Sequence, residues 1–208
     1  MTLRLSLVDR LSKLCESASM TQTQPAAEEL TRQSADTAEL PSESSKAART
    51  FSWVPPGELD LAKMVQLNGL EQLQAMMSGE APRPPIMDLV DMTSFHAEPS
   101  RVVVTMRVQE FHYNPLGSVH GGIIATLLDT AAGCSVHTTL AVGESYTSLD
   151  LTTKFLRPVT LGSGLLTCEG SVIQRGRRVA LAQAELKDEA GRLVAHATSS
   201  CLIFPLGG

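Results

Sequence analysis

One carboxylate in this chain stands alone in an apolar run. In IIATLLDTAAGCSV, residues 123–136, Asp129 is the sole charged side chain. A run of that composition reads as a helix buried on most sides, where a carboxylate without a partner is costly. Two explanations stand. Asp129 is either a structural residue bonded to a backbone group or a distant Arg, or a perturbed carboxylate of the kind that gathers in active sites. Just before the run, Gly117, Gly121 and Gly122 surround His120 where a strand gives way to the helix. Glycines there let a substrate carbonyl approach the unsatisfied N–H groups of a helix start, which carry the positive end of its dipole. An oxyanion hole requires that arrangement, although a tight turn alone would also explain the glycines.

Spacing adds a constraint. A helix starting near Gly121 puts Asp129 eight residues on, roughly 12 Å along the axis at ~1.5 Å per residue. A reacting carbonyl needs its donors about 3 Å away and the attacking group close by. Even with the Asp side chain tilted toward the N-terminus, one helix does not supply both. Two antiparallel copies do, with Asp129 of one chain opposite the Gly121 N–H of another, so the spacing predicts a site between subunits related by a two-fold axis. His120 invites a Ser/His/Asp triad reading, but the GxSxG elbow of a triad nucleophile is absent and turn support is the simpler role. His112 and His137 lack metal-ligand spacing to a carboxylate or Cys, and no metal is assigned.

The elements that must position these groups follow from periodicity. Val102, Val104, Met106 and Val108 alternate with polar residues as in a half-buried strand, with Val103 breaking the pattern. Strands are predicted at 145–156, 164–174, 178–188 and 192–204, with Gly162, Gly176 and Gly191 in the turns and residues 188–191 as a hairpin loop. A buried helix with antiparallel strands on either side of it in sequence is an α+β arrangement, a sheet wrapped around a central helix. Ahead of it, Leu61, Met64, Val65, Leu67, Leu70, Leu73, Met76 and Met77 form a helical stripe over 59–78, ended by Gly79. The PRPP run at 82–85 reads as an extended linker. Residues 17–50 have few large apolar side chains and are expected to be disordered. The predicted organisation is a tail over 1–52 and one folded domain over 53–208.

Composition narrows the class. The chain has 208 residues, a net charge of −5 and 17 scattered Lys and Arg, which argues against a nucleic-acid partner. No apolar run reaches the ~20 residues of a membrane span. Cys15, Cys134, Cys168 and Cys201 have no CxxC pairing, which suits a reducing, cytoplasmic setting. The Leu-rich opening MTLRLSLVDRLSKLC has helical spacing and basic residues, but Asp9 and Glu16 argue against a transit peptide, and Met20 offers an alternative start.

The string from Asn114 through Gly117, His120, Gly121 and Gly122 to Asp129 resembles the signature of PaaI-like (phenylacetate-degradation type) thioesterases of the hotdog superfamily. The run SLDLTTKFLRP, residues 148–158, resembles that family's third-strand motif. The resemblance covers about 59–204 and implies a hotdog fold, a homodimer or homotetramer, and hydrolysis of acyl-CoA without a cofactor. It implies that Asp129 acts as general base or, as an alternative, nucleophile. It further implies that the Gly121 N–H polarises the thioester carbonyl, with Gly122 beside it, that Asn114 is a polar site residue, that His120 braces the turn, and that Ser148 helps hold the attacking water. For the phosphates of coenzyme A, Lys154, Arg157, Arg175, Arg177 and Arg178 are the candidates, the RGRR cluster at 175–178 above all. Two rivals remain: an acyl-CoA-binding protein on the same fold, and a hotdog hydratase or dehydratase, whose Asp-x-Asn-Pro-x-His run is missing here.

Overall fold

The structure, a computed structural model, describes residues 46–55 and 60–206. The predicted disorder over 17–50 falls outside the described residues up to position 45. No described helix is long and apolar enough to cross a membrane.

The helix expected over 59–78 is broken in two, α1 (Leu61–Met64) and α2 (Gly69–Ser78). The cause is Asn68. Its side chain accepts the Glu71 N–H at 3.0 Å while Glu71 accepts the Asn68 N–H at 2.9 Å, a capping box that starts a new helix within the apolar stripe. Gly69 then meets the end of the central helix. Its N–H donates to Leu140 O at 3.0 Å, and a Cβ at 69 would lie 1.8 Å from the His137 carbonyl oxygen. The segment read as a Pro-rich linker runs into a short helix, α3 (Pro85–Leu89), with Pro85 in its first turn, where a missing N–H costs nothing.

Strand β1 (Met92–Glu98) was not foreseen, because its exposed face carries Thr93, Ser94, His96 and Glu98 and little alternation shows. It turns at Ser100 into β2 (Arg101–Arg107), whose Val102, Val104 and Met106 are fully buried. After the central helix α4 (Gly121–His137) come β3 (Glu144–Ser148), β4 (Thr152–Phe155), β5 (Leu165–Arg175), β6 (Val179–Lys187) and β7 (Leu193–Pro205). The strand expected over 145–156 is two strands. Ser148 pairs with Cys201 and Thr152 with Thr198, so the β3–β4 side carries one residue more than β7 between those pairs. This is a bulge. Asp150 holds it, its side chain accepting from Ser200 N at 3.0 Å and its carbonyl from the Ser199 hydroxyl at 2.7 Å.

The seven strands form one antiparallel sheet ordered β1-β2-β5-β6-β7-β3, with β4 also on β7. α4 packs across β2, β5, β6 and β7. Small residues on the sheet make the approach close. Ala180, Ala182, Ala184, Ala195 and Ala197 are buried, and a Cβ at Gly170 would stand 2.0 Å from the Ala131 carbonyl oxygen. Leu127 and Leu128 are fully buried between helix and sheet, each contributing about 2 kcal/mol by burial. The sheet and α4 are the α+β arrangement predicted from periodicity.

Candidate active site

The loop before α4 is built on its own backbone. The His120 N–H donates to His112 O at 2.8 Å, and Tyr113 bridges to Val119. The Asn114 side chain accepts from Leu116 N at 2.9 Å and Ser118 N at 3.3 Å, and Gly117 adopts φ 75°. That Asx turn folds 114–118 back on itself. His112 is a buried anchor: Nδ1 accepts from Gln109 N at 3.1 Å, and Nε2 donates to Val90 O at 3.1 Å.

His120 caps α4, its Nδ1 accepting the Gly122 N–H at 2.9 Å. That bond leaves the ring proton on Nε2 in the neutral form and occupies the Gly122 donor. Among the described residues no acceptor meets the Gly121 N–H, which is the free donor expected at a helix start. Gly121 lies beneath an aromatic ring, since a Cβ there would stand 3.2 Å from Phe155 Cζ. A cleft of about 370 Å³ opens beside it, lined by Asn114, Ser118, Val119, Gly121, Ile124 and residues 155–159.

Asp129 lies two turns further on. The helix is closed on most sides, as its composition implied, but Gly122 and Asp129 are exposed and Thr126 between them is half-buried. Those three positions form one stripe at helical spacing, and that face of α4 is open in the single chain. Partial burial of the carboxyl still raises the Asp129 pKa above the ordinary carboxylate value, and a hydrogen bond from the Ser148 hydroxyl draws it partway back. Around it stand Tyr146, Cys134 and Cys201. Burial, and then the Asp129 charge, push the Cys134 thiol up to about 12, and burial likewise raises Cys201. Both sulfurs therefore stay protonated and are poor nucleophiles. Burial raises the Tyr146 hydroxyl as well; it rests on Gly133, where a Cβ would lie 3.0 Å from it. The chemistry left to this cluster is that of a carboxylate base with a hydroxyl neighbour.

The thioesterase superfamily matches residues 116–195. Human acyl-coenzyme A thioesterase 13 is 30% identical over 106 residues, which are 50% of this chain and 74% of that protein. The chain belongs to this superfamily. A phenylacetic acid degradation-related protein from Ralstonia eutropha shares 32% identity over 62% of this chain and 97% of its own, with a TM-score of 0.57. PaaI from Thermus thermophilus shares 26% over 57% and 98%, with a TM-score of 0.52. The chain is thus a hotdog-fold, PaaI-like thioesterase, as its signature implied.

Within this thioesterase the predicted site residues fall into two groups. Asn114, His120, Gly121 and Gly122 gather at the start of α4, and Asp129 and Ser148 meet in its middle. The basic residues divide as well. Arg157 lines the cleft beside Gly121 and is tied to Leu193 O through Nη1. Lys154, opposite His196, is exposed on the strand position next to Phe155 and so projects to the opposite sheet face from that ring. Arg175 is committed elsewhere, its Nη2 2.8 Å from a Glu144 carboxylate oxygen. Arg177 and Arg178 are exposed in the β5–β6 turn. Two neighbours of the site were missed from sequence, Phe155 and Tyr146. A signal existed for Tyr146, which is two residues from Ser148 in the same strand and so shares a sheet face with it.

Proposed function

We propose that this thioesterase hydrolyses acyl-CoA to a free acid and coenzyme A in a site shared by two chains, with Asp129 of one and the Gly121 N–H of the other. One observation carries the reading. The perturbed carboxylate and the free helix-start donor lie eight residues apart on one helix, roughly 12 Å, and the face carrying Asp129 is open. A second α4 laid antiparallel on that face would bring one of each together twice and would bury the stripe.

In the proposed reaction Asp129 takes a proton from water held with Ser148, and the water oxygen bonds to the thioester carbonyl carbon. The resulting oxyanion sits on the partner's Gly121 N–H at the positive end of a helix dipole. Collapse breaks the C–S bond, and the departing thiolate receives the proton from Asp129. A raised carboxylate pKa makes Asp129 a stronger base than an aspartate in water. The name of the human relative supports acyl-CoA as the substrate class, and Arg157, Arg177 and Arg178 are the cations left to meet its phosphates.

Asp129→Ala should lower kcat by ~10²-fold or more, the scale for loss of a positioned base, with smaller change in KM and an unchanged fold. Wild-type enzyme should sediment as a dimer or larger under assay conditions. A folded Asp129→Ala variant with near-normal kcat, or a fully active monomer, would sink this reading.

A further inference from the structure

The open stripe of α4 does not run to the end of the helix. From Gly122, Thr126 and Asp129 it continues at helical spacing to Gly133 and His137, but Gly133 is buried and His137 half-buried. One side chain lies against both. Tyr146 on β3 lays its ring over Gly133, where a Cβ would stand 3.0 Å from the hydroxyl and 3.5 Å from Cε2. It meets the His137 ring edge-on, with centroids 5.5 Å apart and the planes at 87°.

The ring has a backstop. His137 Nε2 donates to Gln72 Oε1 at 2.9 Å, and Gln72 Nε2 donates to Met64 O at 3.1 Å and Leu67 O at 3.0 Å. Burial lowers the His137 pKa to about 4, so its ring is neutral at neutral pH and puts no charge behind the tyrosine. The position relative to the carboxylate is also fixed. Tyr146 is two residues before Ser148 on one face of β3, roughly 7 Å at ~3.3 Å per residue. Gly133 lies one turn past Asp129, roughly 6 Å at ~1.5 Å per residue.

A thioester with its carbonyl at Asp129 has a polar thiol arm and an apolar acyl arm to place. Toward Thr126 the stripe leads to the two-fold axis, midway between residues 121 and 129, and on into the second site. Toward Gly133 it leads away from that axis. Residues 130–136 carry no charge, and the Cys134 thiol among them stays protonated. We propose that Tyr146 is a specificity-determining residue: the acyl arm runs along α4 from Asp129 toward Gly133, and the Tyr146 ring ends its path, so that short acyl groups are preferred. This rests on the reading that Asp129 activates water at the thioester. At roughly 1.2 Å per bond of an extended chain, a path of one helical turn seats about four to six carbons.

Thiol release across straight-chain acyl-CoAs from acetyl to palmitoyl tests this. The wild type should favour butanoyl and hexanoyl groups over dodecanoyl. Tyr146→Val, a β-branched replacement suited to a strand, should raise kcat/KM for dodecanoyl-CoA relative to hexanoyl-CoA by about tenfold or more, the scale for added room in an apolar pocket. Tyr146→Leu removes less of the ring and should move the ratio the same way by less; it carries the test if the valine variant does not fold. Tyr146→Phe, which keeps the ring, should keep the wild-type ratio. Lost stability alone would lower every substrate together and leave the ratio where it was. The shift should be the same with pantetheine thioesters, since it belongs to the acyl arm. A wild type that favours dodecanoyl, a ratio unmoved by both truncations, or a shift that follows the thiol arm would each overturn the inference. Failure of the Asp129 reading registers separately, as near-normal kcat on every chain length in Asp129→Ala.

Discussion

Gly121→Ala separates a glycine needed for catalysis from one needed for folding. Gly121 has no positive φ, so alanine is allowed there. The added methyl would stand 3.2 Å from Phe155 Cζ, a contact tight by a few tenths of an ångström. Phe155 is 56% exposed and its ring has room to yield. Replacing Gly in a helix gains up to ~1 kcal/mol of propensity, less at a first-turn position, which offsets the crowding, so stability should change by less than about 1 kcal/mol. Catalysis should respond quite differently. The methyl and the displaced ring would occupy the space through which a carbonyl oxygen reaches the Gly121 N–H, and loss of one oxyanion donor costs ~10²–10³-fold in kcat. Because the N–H itself remains, we expect the lower part of that range or somewhat less, about 30- to 100-fold. Gly170→Ala is the contrast, since its Cβ would meet the Ala131 carbonyl oxygen at 2.0 Å and the strand or helix must move. The measurements are thiol release for kcat and thermal unfolding for stability. Wild-type turnover in Gly121→Ala would refute the oxyanion role, and a stability loss matching that of Gly170→Ala would make Gly121 a packing glycine.

Three other outcomes follow from burial and charge. Since the Asp129 pKa is raised, kcat/KM should fall with decreasing pH through a limb set above the ordinary aspartate value of ~4. The same shift has a stability consequence of known sign: a carboxyl that holds its proton more tightly when folded destabilises the fold once ionised. Asp129→Asn should therefore match or exceed wild-type stability at pH 7, with the difference vanishing in acid below the unfolded value; thermal unfolding across pH checks it, and a loss of stability at neutral pH would contradict it. Leu128→Ala, at a side chain with no exposed surface, should cost about 2–5 kcal/mol, measured by urea unfolding, and a cost under 1 kcal/mol would mean that the helix–sheet contact repacks freely.

Much of this protein could be read along the chain because local chemistry and local periodicity coincide. Val102, Val104 and Met106 alternate, so β2 was legible; 164–174, 178–188 and 192–204 were each found to within one residue, because one face of each strand is buried and the other wet. Gly121 and Gly122 behind His120 marked the start of α4, since a helix start, its cap and its free donors are set by neighbours in sequence. Where the reading failed, a distant partner or a local cap outweighed periodicity. Asn68 divided a continuous apolar stripe, and Asp150, by bonding Ser199 and Ser200 on β7, divided a continuous strand. β1 has few apolar residues and is a strand because β2 offers it a ladder. The openness of the face around Asp129 was also invisible, since an apolar helix does not announce which of its sides the sheet leaves uncovered. The same holds for the cations. Residues 154–157 and 175–178 are equivalent candidates as a list of charges. Only the tertiary structure put Arg157 in the cleft beside Gly121, left Arg177 and Arg178 exposed in the β5–β6 turn, tied Arg175 to Glu144 and turned Lys154 to the far face, because strand register converts sequence distance into position in space.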